Sequence, residues 1–198
     1  MKPLSDHTGR MVPLDRSDVD TDQIIPSDYC RRLSKTGFSE GLFGQWRRDP
    51  GFVLNQPEYE GASVLVARRN FGTGSSREPA VWALHEWGFE VVIAESFGDI
   101  FRRNALKNGL LAIQFGVDAV TTLLACSLET LVTVDLVAQE VRCGELTWAF
   151  EIDSRARWLL LNGLDEIDET LTKEADIARY EQGRRYWLVE PLVAGGTG

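Results

Sequence analysis

Cysteine, histidine and positive charge are all scarce in these 198 residues, and no apolar run reaches the length of a membrane span. Each shortage removes a class of protein. The three cysteines, Cys30, Cys126 and Cys143, are odd in number and widely scattered, which argues against a disulfide framework. No CxxC pair presents two sulfurs from one loop, so this chain alone is expected to bind no iron–sulfur cluster and no other metal. Cys126 falls in an apolar helical pattern and Cys143 beside a turn, as buried or incidental thiols do. Without a spanning segment no membrane association is expected. The polar stretch from Met1 to Pro13 also lacks the apolar centre of a signal peptide, and a cytoplasmic location is expected. The charge balance of 21 Lys and Arg against 30 Asp and Glu gives −9, which argues against a nucleic-acid or anionic-membrane surface. The doublets Arg31-Arg32, Arg47-Arg48, Arg68-Arg69 and Arg102-Arg103 can still favour a small anion locally, although most read as solvated charge.

What is present fits an ordinary globular chain: 43% hydrophobic and 26% charged residues supply both a core and a polar surface. The length suits a single domain over residues 1–198, with a short C-terminal helical extension and a frayed tail at Ala194 to Gly198. The first sixty residues are rich in loop signals. Gly37, Gly41, Gly44, Pro50, Gly51 and Pro57 punctuate Phe38, Phe43, Trp46 and Phe52, which predicts an irregular segment pinned by buried rings.

The middle of the chain alternates. Ser63 to Ala67 reads as a buried strand, Arg77 to Trp87 as a helix capped by Ser75 or Ser76 and stopped by Gly88, and Phe89 to Ala94 as a strand. Phe97 to Asn108 predicts a helix, Leu110 to Phe115 a strand and Val117 to Ser127 a third helix. Leu131 to Leu136 and Leu146 to Phe150 flank Gly144 as a hairpin or meander would. Ser154 to Asn162, capped by Asp153 or Ser154, and Lys173 to Gln182 are amphipathic helices. The fold class is therefore α/β, with a mixed rather than purely parallel sheet.

The chemistry concentrates between Arg69 and Glu78. Gly72 and Gly74 follow a strand and allow close approach of a ligand. The amides beyond them open a helix, where free N–H groups and the macrodipole favour an anion. Ser75, Ser76 and Arg77 add two hydroxyls and a guanidinium, a set suited to a carboxylate. Nucleotide motifs fit poorly: no Lys completes GxxxxGK[ST], and Arg77 stands where GxGxxG needs its third glycine. A serine hydrolase needs a base, yet only His7 and His85 exist and GxSxG is absent. From the residues alone two readings stand, an anion site or a serine-capped helix after a tight turn.

The run Phe71-Gly72-Thr73-Gly74-Ser75-Ser76-Arg77-Glu78 resembles the signature of the aconitase superfamily's swivelling domain. The resemblance continues through His7-Thr8-Gly9, Val19 to Pro26, Thr36-Gly37-Phe38 and Phe52 to Asn55. It resumes at Trp82-Ala83-Leu84, Gly88-Phe89, Ser96 to Phe101, Asn108 to Leu111 and Asn162 to Asp165. In order and density these matches are similar to the small-subunit family of bacterial 3-isopropylmalate dehydratases. The resemblance implies a swivelling β/β/α domain with flanking helices. It also implies a heteromeric hydro-lyase of leucine biosynthesis, converting 2-isopropylmalate to 3-isopropylmalate through isopropylmaleate, with a [4Fe-4S] cluster in a separate large subunit. By position, Ser75 would be the base that removes a proton α to a carboxylate, and Ser76 and Arg77 would bind the carboxylates of a small dicarboxylate substrate. Gly72, Gly74 and the turn Asp20-Thr21-Asp22 would position the loop. That turn alone reads as Asp and Thr bonding local amides rather than a metal site. Arg31 and Arg32 lie in the stretch associated with substrate choice and could reach a carboxylate.

Three positions depart from the family pattern: Pro79 for His, Cys30 for Leu and Lys35 for Arg. Proline is tolerated in a first helical turn, but a titratable side chain close to Ser75 is lost. All three fall near the expected site and bear on substrate rather than fold. The alternatives are a paralogous hydro-lyase small subunit acting on maleate, citraconate or another alkyl-malate, and a non-catalytic anion-binding scaffold. Ser75, Ser76 and Arg77 argue against the scaffold, which would need no such cluster.

Overall fold

A computed structural model describes residues 1–31 and 36–183. Arg32, Lys35 and the Gly-rich tail lie outside the described residues. The chain divides into two compact units, Met1–Asp165 and a second beginning at Glu166.

The first unit holds two four-stranded sheets. Strands β2 (Met11–Leu14), β3 (Val64–Ala67), β4 (Val91–Ala94) and β5 (Leu111–Gln114) pair in that order, all parallel. Strands β1 (Asp6–Gly9), β6 (Val132–Asp135), β7 (Glu140–Cys143) and β8 (Leu146–Ala149) form an antiparallel sheet in the order β1-β6-β7-β8. A four-residue helix, α1 (Thr21–Ile24), follows β2. Between β3 and β4 runs α2 (Glu78–Trp87), and between β4 and β5 runs α3 (Asp99–Lys107). After β5 come α4 (Val117–Leu124) and, beyond β8, α5 (Ser154–Asn162).

The parallel sheet separates two cores, as the alternation of side chains across a strand requires. On one face Leu65, Ala67, Val92, Ala94 and Ala112 meet the buried residues of α2 and α3. Small residues dominate the inner face of α2 at Ala80, Val81 and Ala83, so the helix can sit close to the sheet. The rings Phe38, Phe43 and Phe52 join this core and hold the irregular segment down, with Trp46 stacked on Phe43 at 5.3 Å. On the other face Val64, Val66, Val91, Ile93, Leu111 and Ile113 pack with α4, α5 and the inner residues of β6 and β7.

Several expectations are met within a residue or two, α2, α3, β4 and β5 among them. Asp153 caps α5 by accepting from the Ala156 amide at 2.9 Å. Others are corrected. No serine caps α2; its N-cap is Arg77, whose side chain makes no capping bond. A capping hydroxyl seeks the second or third amide of the helix. The second residue is Pro79, which has no N–H, and the third amide, Ala80, already bonds the Arg77 carbonyl at 3.1 Å. Of the hairpin or meander expected around Gly144, the meander forms, with one strand not foreseen, Glu140–Cys143, between the two predicted ones. Two further strands, β1 and β2, lie within the segment read as loop. Pro13 fits β2 because this is an edge strand of its sheet.

The second unit contains α6 (Glu166–Leu171) and α7 (Glu174–Gln182). Among the described residues no helix is long and apolar enough to cross a membrane.

Candidate active site

Parallel strands deliver their carboxyl ends to one edge, where open α/β sheets place ligands. Three segments meet at that edge: residues 15–20 after β2, residues 68–77 after β3 and residues 95–98 after β4. The Gly72 and Thr73 amides donate to the Val19 carbonyl at 2.7 and 3.2 Å, and the Thr21 amide donates to the Thr73 carbonyl at 3.0 Å. On the other side the Phe71 amide donates to Ser96, and the Gly98 amide to Phe71, at 3.0 and 2.9 Å. The glycine loop is thus stitched to both neighbours through its backbone.

Beneath it, Phe71, Phe97 and Phe101 form an aromatic floor. Phe71 meets Phe101 edge-on at 5.3 Å, and Phe97 stacks on Phe101 at 6.2 Å. Gly72 lies directly over this floor. A Cβ there would fall 2.2 Å from Phe101 Cγ, and its φ of +74° is one that L-residues rarely adopt. Gly74, at φ +93°, has room for a methyl, with Asp20 Cβ no nearer than 3.7 Å. Glycine is demanded by both space and backbone at position 72, and by backbone alone at position 74.

A cleft of about 220 Å³ opens above, lined by Thr21, Thr73, Gly74, Ser75 and Arg77 on one side and by Gly98 to Phe101 on the other. Ser75 is exposed, but its carbonyl accepts from the buried Thr21 hydroxyl at 2.9 Å, so the backbone is held while the side chain stays free. The Arg77 guanidinium pairs with Asp22. Its side chain is 19% exposed against 56% for Asp22, which makes Arg77 the sheltered member of the pair. The first amides of α3, from Asp99 to Phe101, lack intrahelical acceptors and border the same cleft. Pro79 removes an amide from the first turn of α2, whereas residues at the start of α3 line the cleft.

Asp20 caps α1 reciprocally with Gln23: its carboxylate accepts from the Gln23 amide at 2.8 Å, and the Gln23 side chain accepts from the Asp20 amide at 2.9 Å. The turn is therefore closed by local bonds, with Asp22 turned to Arg77 and Thr21 to Ser75. Ser76 is exposed and accepts from Asn104 of α3 at 3.4 Å. Arg31 ends a 3-10 turn, Ser27–Arg31, is exposed, and is not among the cleft's lining residues. Arg32 is outside the described residues. The structure brings Thr21, Asp22, Gly72, Gly74, Ser75 and Arg77 together and leaves Arg31 apart.

Sequence reasoning missed the clasp at the loop's entrance. Asp18 and Asn70 both take left-handed backbone angles, φ 56° and 55°. The Asp18 carboxylate accepts from the Asn70 side chain at 2.7 Å and from Arg69 at 3.1 Å. The Asn70 bond, followed by Arg69, holds that carboxyl below the usual range. Asn and Asp tolerate this conformation better than other L-residues, and that tolerance was the only local signal. Arg68, read as solvated charge, instead donates to Asp15, Glu95 and Thr121 at 2.5, 3.3 and 2.8 Å and ties the ends of three strands to α4. Among the described residues no group of three His, Cys, Asp or Glu could hold a metal ion.

Residues 1–117 match the family model described as the aconitase C-terminal domain. The chain is similar to the 3-isopropylmalate dehydratase small subunit of Acidothermus cellulolyticus, 55% identical over 190 residues, 94% of this chain and 96% of that one. The small subunit from Streptomyces griseus is 56% identical over 197 residues, 98% of this chain and 100% of that one. Among solved structures, 3-isopropylmalate dehydratase from Methanocaldococcus jannaschii superposes with a TM-score of 0.64 at 29% identity, covering 90% of this chain and 99% of that one.

Proposed function

Because the chain belongs to the aconitase C-terminal domain family, and within it to the 3-isopropylmalate dehydratase small subunits, we propose that it forms half of a divided hydro-lyase site. The reaction is the interconversion of 2-isopropylmalate and 3-isopropylmalate through isopropylmaleate, a step of leucine biosynthesis in the cytoplasm. Residues from Glu166 onward are an extension of the single catalytic domain rather than a second functional one. The observation that carries the reading is the cleft. It offers a hydroxyl, a sheltered guanidinium and helix amides to an anion, all from three loops at one sheet edge.

Ser75 is the base. A serine oxygen removes a carbon-bound proton only if its alkoxide is stabilised, and the Arg77 guanidinium and the amides bordering the cleft supply that stabilisation. Ser75 is open to solvent in the single chain. A closing surface must exclude water before that stabilisation becomes large, and the large subunit provides it. Arg77 keeps most of its five donors available beyond the contact with Asp22 and clamps a substrate carboxylate; Ser76, steadied by Asn104, assists. Asp22 orients Arg77, and Thr21 and Asp20 hold the loop's backbone. Arg31 and Arg32 remain candidates for the second carboxylate. The cysteines of this chain do not fit a cluster, since Cys30 is exposed and the other two point at each other. A [4Fe-4S] cluster held by the large subunit would supply Lewis acidity toward the leaving hydroxyl.

Mixing the purified chain with a cluster-loaded large subunit tests the assignment by following hydration of isopropylmaleate, maleate and citraconate. Preference for isopropylmaleate is the expected result. Efficient hydration of maleate with poor hydration of isopropylmaleate would transfer the chain to a paralogous hydro-lyase.

A further inference from the structure

Away from the cleft, the structure brings together two cysteines that the sequence keeps apart. Cys126 lies just past the end of α4, two residues after Leu124. Cys143 closes β7 in the antiparallel sheet. The Cys143 thiol donates to the Cys126 sulfur at 3.0 Å, and the Cys126 thiol contacts the Thr122 carbonyl at 3.3 Å. Cys143 is 3% exposed, whereas Cys126 is only partly covered. Both are thiols here, yet their sulfurs need to close by only about 1 Å to reach a covalent bond. Cys30, the remaining thiol, is exposed and lies elsewhere.

We propose that Cys126 and Cys143 form a thiol–disulfide site, oxidised by peroxide, that fastens the end of α4 to the antiparallel sheet. Cys126, the accessible sulfur, attacks hydrogen peroxide as its thiolate. An S–O bond forms, the O–O bond breaks, and one water leaves with the thiol's proton. The Cys143 sulfur then attacks the sulfenic sulfur. The S–S bond forms, the S–O bond breaks, and a second water leaves with the Cys143 proton. Two thiols and one peroxide give one disulfide and two waters. Burial pushes the Cys143 thiol up to about 12, which assigns it the second step rather than the first. With the sulfurs already 3.0 Å apart, the bond would close a segment reaching from Cys126 to Cys143 and would constrain the unfolded chain.

The test uses the full chain, fully reduced, with Cys30→Ser as a parallel sample to remove intermolecular pairing. Stoichiometric hydrogen peroxide is followed by alkylation and trypsin without reductant. Cleavage after Arg142 places the two cysteines on separate peptides. The expected result is a linked peptide pair that separates on reduction, with no free thiol left in the Cys30→Ser chain. A melting temperature several degrees above that of the reduced protein should accompany it. Cys143→Ala should yield no linked pair and should leave Cys126 as a sulfenic acid, trapped by dimedone. Independent alkylation of Cys126 and Cys143 after peroxide treatment of folded protein would overturn the proposal. So would a disulfide found only between Cys30 residues of two molecules. The Cys30→Ser and unsubstituted chains decide the matter even if Cys143→Ala fails to fold.

Discussion

In the parallel sheet β3 and β4 are buried at every position, while in the antiparallel sheet β1 and β8 have no buried residue at all. The first sheet is covered on both faces and can display chemistry only at its ends. Its carboxyl edge gathers the clasp of Asp18 and Asn70, the Arg68 network, the glycine loop and the start of α3. The second sheet buries one face through Val132, Val134, Val141 and Cys143 and turns the other outward. It supplies core, and none of its residues lines the cleft. A fully buried sheet makes a rigid frame for loops, and that rigidity lets a serine and an arginine be held in fixed relation to each other.

This contrast can be broken most sharply at the loop. In a reconstituted enzyme Ser75→Ala should lower kcat by about 10²- to 10⁴-fold with the melting temperature unchanged. Retained kcat would detach the chemistry from this edge. Arg77→Lys should raise KM for the dicarboxylate by about 10- to 100-fold, because the point charge of Lys cannot reproduce a bidentate clamp; initial-rate kinetics reads this. Gly72→Ala should destabilise the isolated chain by roughly 2–5 kcal/mol, combining overpacking on Phe101 with the backbone penalty. Gly74→Ala should cost about 1 kcal/mol, from backbone alone. Denaturant titration ranks the two, and equal losses would mean that Phe101 is not the constraint.

A smaller effect lies at the joint between the sheets, where His7 of β1 bonds the Ser63 hydroxyl at 2.7 Å just before β3. Burial holds the imidazole below its ordinary 6.5, so the folded state favours the neutral ring. The associated stability is complete above 6.5 and declines as pH falls below it, where the unfolded chain takes up a proton that the folded chain resists. His7→Gln should flatten that decline in unfolding curves measured across the range. Least of all, Thr147→Lys on the exposed edge strand β8 should change stability by less than about 0.5 kcal/mol and leave turnover intact. A large effect there would mean that the antiparallel sheet does more than supply core.

The same contrast explains what could be read in the sequence. The apolar runs Val91 to Ala94 and Leu110 to Ile113 made β4 and β5 legible, and the amphipathic stretch between them, stopped by Gly109, made α3 legible. Strands β1, β2 and β7 are four residues each and carry Asp6, His7, Pro13, Glu140 and Arg142, so local composition hides them. Ser75, Arg77, Gly72 and Gly74 were legible because one contiguous loop carries them. Asp18 with Asn70, Arg68 with Thr121 and Asn104 with Ser76 were not, because each pair is made by folding and lies 28 to 53 positions apart. The failed serine cap turned on Pro79, which removes the amide a cap would need.

The most direct test is to mix this chain, unsubstituted or as Ser75→Ala, with a cluster-loaded large subunit and measure isopropylmaleate hydration alongside complex formation by sedimentation. Neither subunit alone should turn over, the unsubstituted mixture should, and the Ser75→Ala complex should assemble normally but be slowed by about 10²-fold or more. Full turnover from the Ser75→Ala complex would contradict the role of Ser75 as the base.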